Sequence, residues 1–124
     1  MTSISKSEFD ALVGRALDGL PAEIRQHMDN VAITIADWPT ASELKQARVS
    51  DPRRLFGLYQ GIPLTRRSTH YNMVTPDRIT LYREPLQAAC RTTAELQEQI
   101  RRTIVHEIAH HFGLDEARIR ELGY

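Results

Sequence analysis

The order of hydrophobic patterns along the chain predicts an α+β domain, a small twisted sheet with helices on one face. A helix-type repeat comes first, three short β-type runs occupy the middle, and a long helical pattern lies near the C-terminus. The 124 residues suit a single domain spanning 1–124 with a core of its own.

The N-terminal segment predicts an amphipathic helix that begins after Ser7, a residue type favoured at helix N-caps. Gly19, Leu20 and Pro21 end the repeat, and a short helical turn is expected over 21–28. The apolar residues that recur at helical spacing are Phe9, Leu12, Val13, Ala16, Leu17 and Leu20.

Three runs in the middle of the chain predict β-strands: VAITI at 31–35, LFGLYQ at 55–60 and DRITLYRE at 77–84. The third run alternates apolar and polar residues, which predicts a half-buried strand at an edge of the sheet.

Two connections separate these strands. Residues 40–52 are polar and predict a loop with a short helix that ends at Pro52. Residues 65–76 are polar without periodicity, as functional loops often are. His70 and Tyr71 could line a site there, although a solvated loop is the favoured interpretation.

Composition limits the class of partner and the compartment. The chain has 16 Lys and Arg against 16 Asp and Glu, so nothing predicts binding to nucleic acid or to an anionic membrane. No apolar run is long enough for a signal peptide or a membrane span. The single cysteine, Cys90, excludes an internal disulfide and fits a reducing, cytoplasmic setting, and we interpret it as a packing residue.

The last third of the chain predicts a short helix over 85–90 and then a long helix, which Thr92 and Glu95 begin in a capping-box pattern. His106 and His110 fall opposite its apolar stripe and therefore face away from the core, whereas His111 falls within the stripe and is predicted to pack or hydrogen-bond. The stripe consists of Ile100, Ile104, Val105, Ile108, Ala109 and Phe112.

His106, Glu107 and His110 spell H-E-x-x-H. Two neutral imidazoles one helical turn apart can share a divalent metal ion, most often zinc, and the intervening Glu107 is placed to accept a proton from water activated by the metal. Imidazole–carboxylate sites also accept other divalent ions. The alternative is a surface helix with solvated His and Glu side chains.

Gly113 is a natural helix-ending residue, and Glu116 stands three positions further on, where metzincins carry their third metal ligand, a histidine. A carboxylate can serve in the same place. Asp115 is the nearer alternative as third metal ligand. Glu121 could reach the metal only if the last segment, which is predicted to form a short helix, folds back tightly.

Four segments together resemble the small bacterial zincin-like metallopeptidases. They are MDNVAITI at 28–35, LFGLYQGIPLTRRS at 55–68, PDRITLYREPL at 76–86 and HEIAHHFGLDEARIRELGY at 106–124. The resemblance implies a minimal zincin-like fold: a small mixed sheet of three to four strands, an N-terminal helix and a C-terminal active-site helix.

The same resemblance implies one Zn²⁺ per chain, held by His106 and His110, with Glu107 as the general base. The family usually has Asp where this chain has Glu116, so the expected third ligand has a side chain one methylene longer than usual. Strand 77–84 would pair with an extended peptide substrate.

The predicted function is therefore zinc-dependent peptide hydrolysis. The alternative is a catalytically silent metal-binding or protein-interaction module on the same scaffold, because no methionine follows Met73 to form the methionine turn that metzincins place under the metal. A purely structural zinc is disfavoured, since structural sites normally have four protein ligands.

Overall fold

Six α-helices, one 3₁₀ turn and three strands form the part of the chain that the computed structural model describes, residues 3–61 and 76–124. Their bounds are α1 Lys6–Asp18, α2 Ala22–Arg25, β1 Val31–Ala36, α3 Ala41–Ala47, the 3₁₀ turn Pro52–Arg54, β2 Gly57–Gln60, β3 Asp77–Tyr82, α4 Arg83–Ala88, α5 Thr93–His111 and α6 Glu116–Glu121.

The three strands form one mixed sheet in the order β1–β3–β2. β1 runs parallel to β3, with Val31 opposite Asp77, and β2 runs antiparallel to β3, with Gly57 opposite Leu81. The α+β class and the small mixed sheet are confirmed.

The prediction that 77–84 forms an edge strand is wrong, because β3 lies between β1 and β2. Its last four residues, from Ile79 to Tyr82, are all buried, and Arg83 and Glu84 already belong to α4. Both sides of β3 are occupied by neighbouring strands, so a peptide cannot be added alongside it as the resemblance had implied.

The polar half of the β3 alternation is buried because the sheet has cover on both faces. The Thr80 hydroxyl lies 3.0 Å from that of Thr34, within hydrogen-bonding distance, and Tyr82 packs with Leu55 and Leu58 in a second apolar cluster. Leu44 of α3 packs against this cluster. The expectation of helices on one face alone is therefore wrong.

The main core lies on the opposite face, where α5 packs on β2 and β3 and α1 packs on α5. Its largest fully buried side chains include Phe9, Ile24, Ile79, Leu81, Leu86, Leu96, Ile100, Ile104, Ile108 and Ile119. Cys90 is buried in the same core, and burial raises the pKa of its thiol, in agreement with a packing role.

Local capping explains where the N-terminal helices begin. The Ser5 hydroxyl accepts the backbone N–H of Glu8 at 3.2 Å, so α1 is capped by Ser5 rather than by Ser7. Thr40 and Glu43 form a complete capping box that starts α3 inside the segment predicted to be mostly loop.

Two sequence predictions touch residues that the structure does not describe. His70 and Tyr71 lie outside the described residues, as does the predicted loop up to residue 75. Among the described helices, none is both long and apolar enough to cross a membrane.

Candidate active site

Helix α5 carries the H-E-x-x-H motif on the side predicted from its periodicity. Thr92 caps its N-terminus by accepting the N–H of Glu95 at 3.0 Å, and the apolar stripe from Ile100 to Ala109 is buried. His106 is partly exposed and His110 is exposed. Phe112 departs from its prediction: it follows the last helical residue and is 42% exposed.

A Schellman turn at the end of α5 reverses the chain towards the motif. Gly113 adopts a φ of +77°, and its N–H bonds the carbonyl of His110 while the N–H of Leu114 bonds that of Ala109. The next helix, α6, therefore begins beside the last turn of α5. Its first residue, Glu116, lies with Oε1 at 3.2 Å from Nε2 of His110.

The rival carboxylates are engaged elsewhere. The Asp115 side chain caps α6 by accepting the N–H of Arg118 at 2.8 Å. Glu121 pairs with the guanidinium of Arg118 at 2.8 Å. Of the three carboxylates weighed from the sequence, Glu116 is the one that contacts a motif histidine.

A second Schellman turn, which the sequence patterns did not predict, ends α6. Gly123 has a φ of +94°, and the N–H of Tyr124 bonds the carbonyl of Ile119. Tyr124 is thereby returned to α5, where its ring lies 5.7 Å from the guanidinium carbon of Arg102.

Glu107 points to the sheet rather than to the two histidines. Its Oε1 accepts the backbone N–H of Tyr59 in β2 at 2.9 Å. Burial raises the pKa of the Glu107 carboxyl, and the Tyr59 N–H opposes that rise. A carboxylate with a raised pKa, held in one place, is suited to accept and return a proton near neutral pH.

The side chain of Tyr59 is fixed from two directions. Its hydroxyl donates to Oδ2 of Asp77 at 2.7 Å, and its ring stacks on that of His111 with centroids 3.8 Å apart. His111 is therefore exposed and packs on the ring of Tyr59, whereas the sequence had placed it within the buried apolar stripe of α5. The sequence had no local signal for Tyr59, which is 48 positions from Glu107 along the chain.

The contact between β2 and α5 depends on a glycine. A Cβ placed at Gly57 would lie 2.8 Å from the methyl carbon of Thr103 and 3.2 Å from the carbonyl oxygen of Thr80. A glycine inside a strand pattern is a sign of such close approach, so this feature was readable from the sequence.

Burial lowers the pKa of His106, and positive charge on His110 lowers it further. The imidazole of His106 is therefore favoured in its neutral form, the form that binds a metal.

The chemistry of the donors fits zinc, since two imidazoles and one carboxylate are a common three-residue ligand set. The rings of His106 and His110 have centroids 5.7 Å apart. Within residues 3–61 and 76–124, no three His, Cys, Asp or Glu side chains stand in an arrangement that holds an ion. The side chains of His110 and Glu116 are 54% and 64% exposed, so rotation about their side-chain bonds is open to bring the donors together.

The sequence model of the zincin-like metallopeptidase family matches residues 28–124. The chain belongs to this zincin-like metallopeptidase family. No curated protein matches the chain.

The match to the zincin-like family includes every element of the candidate site: β2, β3, α5 and the two turns after it. Helix α1 lies outside the matched range and packs against α5 in the main core.

Proposed function

We propose that this zincin-like protein is a zinc-dependent peptidase with His106, His110 and Glu116 as metal ligands and Glu107 as general base. One observation carries the proposal: the turn at Gly113 brings Glu116 of α6 to within 3.2 Å of His110 on the motif helix.

A zinc ion held by these residues would act as a Lewis acid on the scissile carbonyl and lower the pKa of water. Glu107 accepts the proton of the attacking water and returns it to the leaving amine. The Tyr59 N–H holds one carboxylate oxygen and leaves the other for that transfer.

The substrate is a peptide or protein chain, which we place along the outer side of β2. In the described part of the chain, β2 is bonded to β3 alone. Phe56 accepts the N–H of Tyr82, so by antiparallel alternation the backbone groups of Gly57 and Tyr59 point away from β3. The N–H of Tyr59 already bonds Glu107, so we place the pairing with substrate at Gly57. The outer side of β2 thus replaces strand 77–84 as the proposed docking edge.

The single cysteine supports a cytoplasmic location for the reaction.

The test is hydrolysis of a broad peptide library by zinc-loaded wild type and by Glu107→Gln, with products read by mass spectrometry. We expect Glu107→Gln to lose hydrolysis and to retain zinc. Glu98→Gln, the same substitution on the same helix, should hydrolyse like wild type. Undiminished hydrolysis by zinc-loaded Glu107→Gln would refute the assigned mechanism.

The second candidate is a catalytically silent metal-binding or interaction module. It is favoured by the outer edge of β2, which in the described part of the chain is bonded to β3 alone and could hold a partner without any turnover. This candidate predicts zinc uptake without cleavage of any library peptide, and partner binding that Glu107→Gln leaves unchanged.

A further inference from the structure

A cavity of about 260 Å³ opens beside Glu107, between α5 and the segment that runs from the 3₁₀ turn into β2. His106 and Glu107 themselves form part of its wall. A substrate side chain seated there would therefore belong to a residue next to the bond that Glu107 helps to hydrolyse. The volume is below the roughly 300 Å³ at which pockets for whole ligands begin, and so suits one side chain or a chain end.

The polar lining of this cavity is cationic. Arg54 and Arg102 both line it, together with Gln99. Within residues 3–61 and 76–124, neither arginine takes part in an ion pair. Glu107, the one carboxylate among the lining residues, already accepts a hydrogen bond from Tyr59.

The cavity also has a fixed geometry. Leu55, Gly57 and Thr103, which line its apolar part, are all buried, and Gly57 and Thr103 meet at the contact between β2 and α5. The guanidinium of Arg102 lies over the ring of Tyr124, which limits its freedom before a ligand arrives. A preformed guanidinium donor without a carboxylate partner favours a planar anion.

We propose that this cavity binds a substrate carboxylate adjacent to the scissile bond, with Arg54 and Arg102 as the specificity-determining residues. The carboxylate belongs either to an acidic side chain or to the C-terminus of the substrate. The inference rests on the proposed peptidase function for its biological meaning, but the cavity itself is testable by binding.

The test measures binding of short peptides to zinc-loaded Glu107→Gln, which cannot turn them over. Ac-Ala-Ala-Glu-Ala-amide is compared with its Gln and Leu counterparts, and Ac-Ala-Ala-Ala as the free acid is compared with its amide. We expect one carboxylate peptide to bind roughly tenfold more tightly than its neutral counterpart, the usual size of a charge-assisted hydrogen bond.

That preference should vanish when Arg54→Gln and Arg102→Gln are added. The matched control adds Arg91→Gln and Lys45→Gln, which remove the same charge from positions outside the cavity, and should keep the preference. Preference for the Glu peptide assigns the side-chain source, and preference for the free acid assigns the chain end.

Equal binding of charged and neutral peptides, tighter binding of the Leu peptide, or a preference that survives neutralisation of both arginines would overturn the proposal. Library digestion by wild type separates this failure from failure of the peptidase function. Hydrolysis without carboxylate preference removes the cavity proposal alone, whereas carboxylate preference in binding without any hydrolysis removes the peptidase function alone.

Discussion

Substitution of Gly57 tests whether β2 lies against α5 as closely as the structure has it. In Gly57→Ala, the new Cβ would meet the Thr103 methyl at 2.8 Å and the Thr80 carbonyl at 3.2 Å, so the strand and the helix must separate. Overpacking of this kind costs about 1–3 kcal/mol of unfolding free energy, and contact with a backbone atom favours the upper half of that range.

Urea denaturation of the metal-free protein measures this loss, and Thr103 supplies the diagnostic second site. Thr103→Ser removes the methyl group and keeps the hydroxyl that donates to the carbonyl of Gln99 at 2.8 Å. In that background Gly57→Ala should cost at least about 1 kcal/mol less, a coupling expected of residues in direct contact.

Gly14 is the matched control, because it lies inside α1 and a Cβ added there would have nothing within 4 Å. Gly14→Ala should raise the free energy of unfolding by about 0.5–1 kcal/mol, since alanine favours a helix over glycine. Gly57→Ala as stable as wild type, or a loss that Thr103→Ser leaves unchanged, would refute the close packing of β2 on α5.

Three further predictions concern the motif helix. The raised pKa of Glu107 means that ionisation of this carboxyl destabilises the folded metal-free protein as pH rises above 4.5. In urea titrations, Glu107→Gln should therefore gain stability relative to wild type between pH 4 and pH 7. The same difference in unfolding free energy between variant and wild type at both pH values would contradict the buried placement of Glu107. Gly113→Ala should lower the free energy of unfolding by about 1–2 kcal/mol, and it should weaken zinc binding because the turn at Gly113 brings Glu116 to His110. Gly113→Asn should lower the stability less, since asparagine tolerates the left-handed conformation. Equal stabilities of the two variants in calorimetry would count against the left-handed turn. Thr92→Ala should lower the free energy of unfolding by about 1 kcal/mol through loss of the N-cap bond to Glu95, and no change in urea denaturation would show that this cap is dispensable.

The parts of the site that local sequence predicts are those that lie on one helix or one turn. The period of α5 places His106 and His110 outside the core, and Gly113 marks the turn that carries Glu116 back to His110. Each of these features depends on residues close together along the chain, so helix geometry and glycine conformation are sufficient to predict them.

The parts that local sequence does not predict depend on pairing between distant segments. The sequence predicts β3 as an edge strand because Thr80 and Tyr82 are polar. Both are buried through distant contacts: Tyr82 packs with Leu55 and Leu58, and the Thr80 hydroxyl contacts that of Thr34. The bond from Tyr59 to Glu107 joins β2 to α5, and no periodicity within either element specifies it.

Metal content tests the central claim most directly. Elemental analysis of gently purified wild type should find about one zinc per chain, and His106→Ala should lose it because two remaining ligands hold zinc too weakly. Wild type that contains no metal, even after incubation with excess zinc, would contradict the assigned metal centre and the peptidase function built on it.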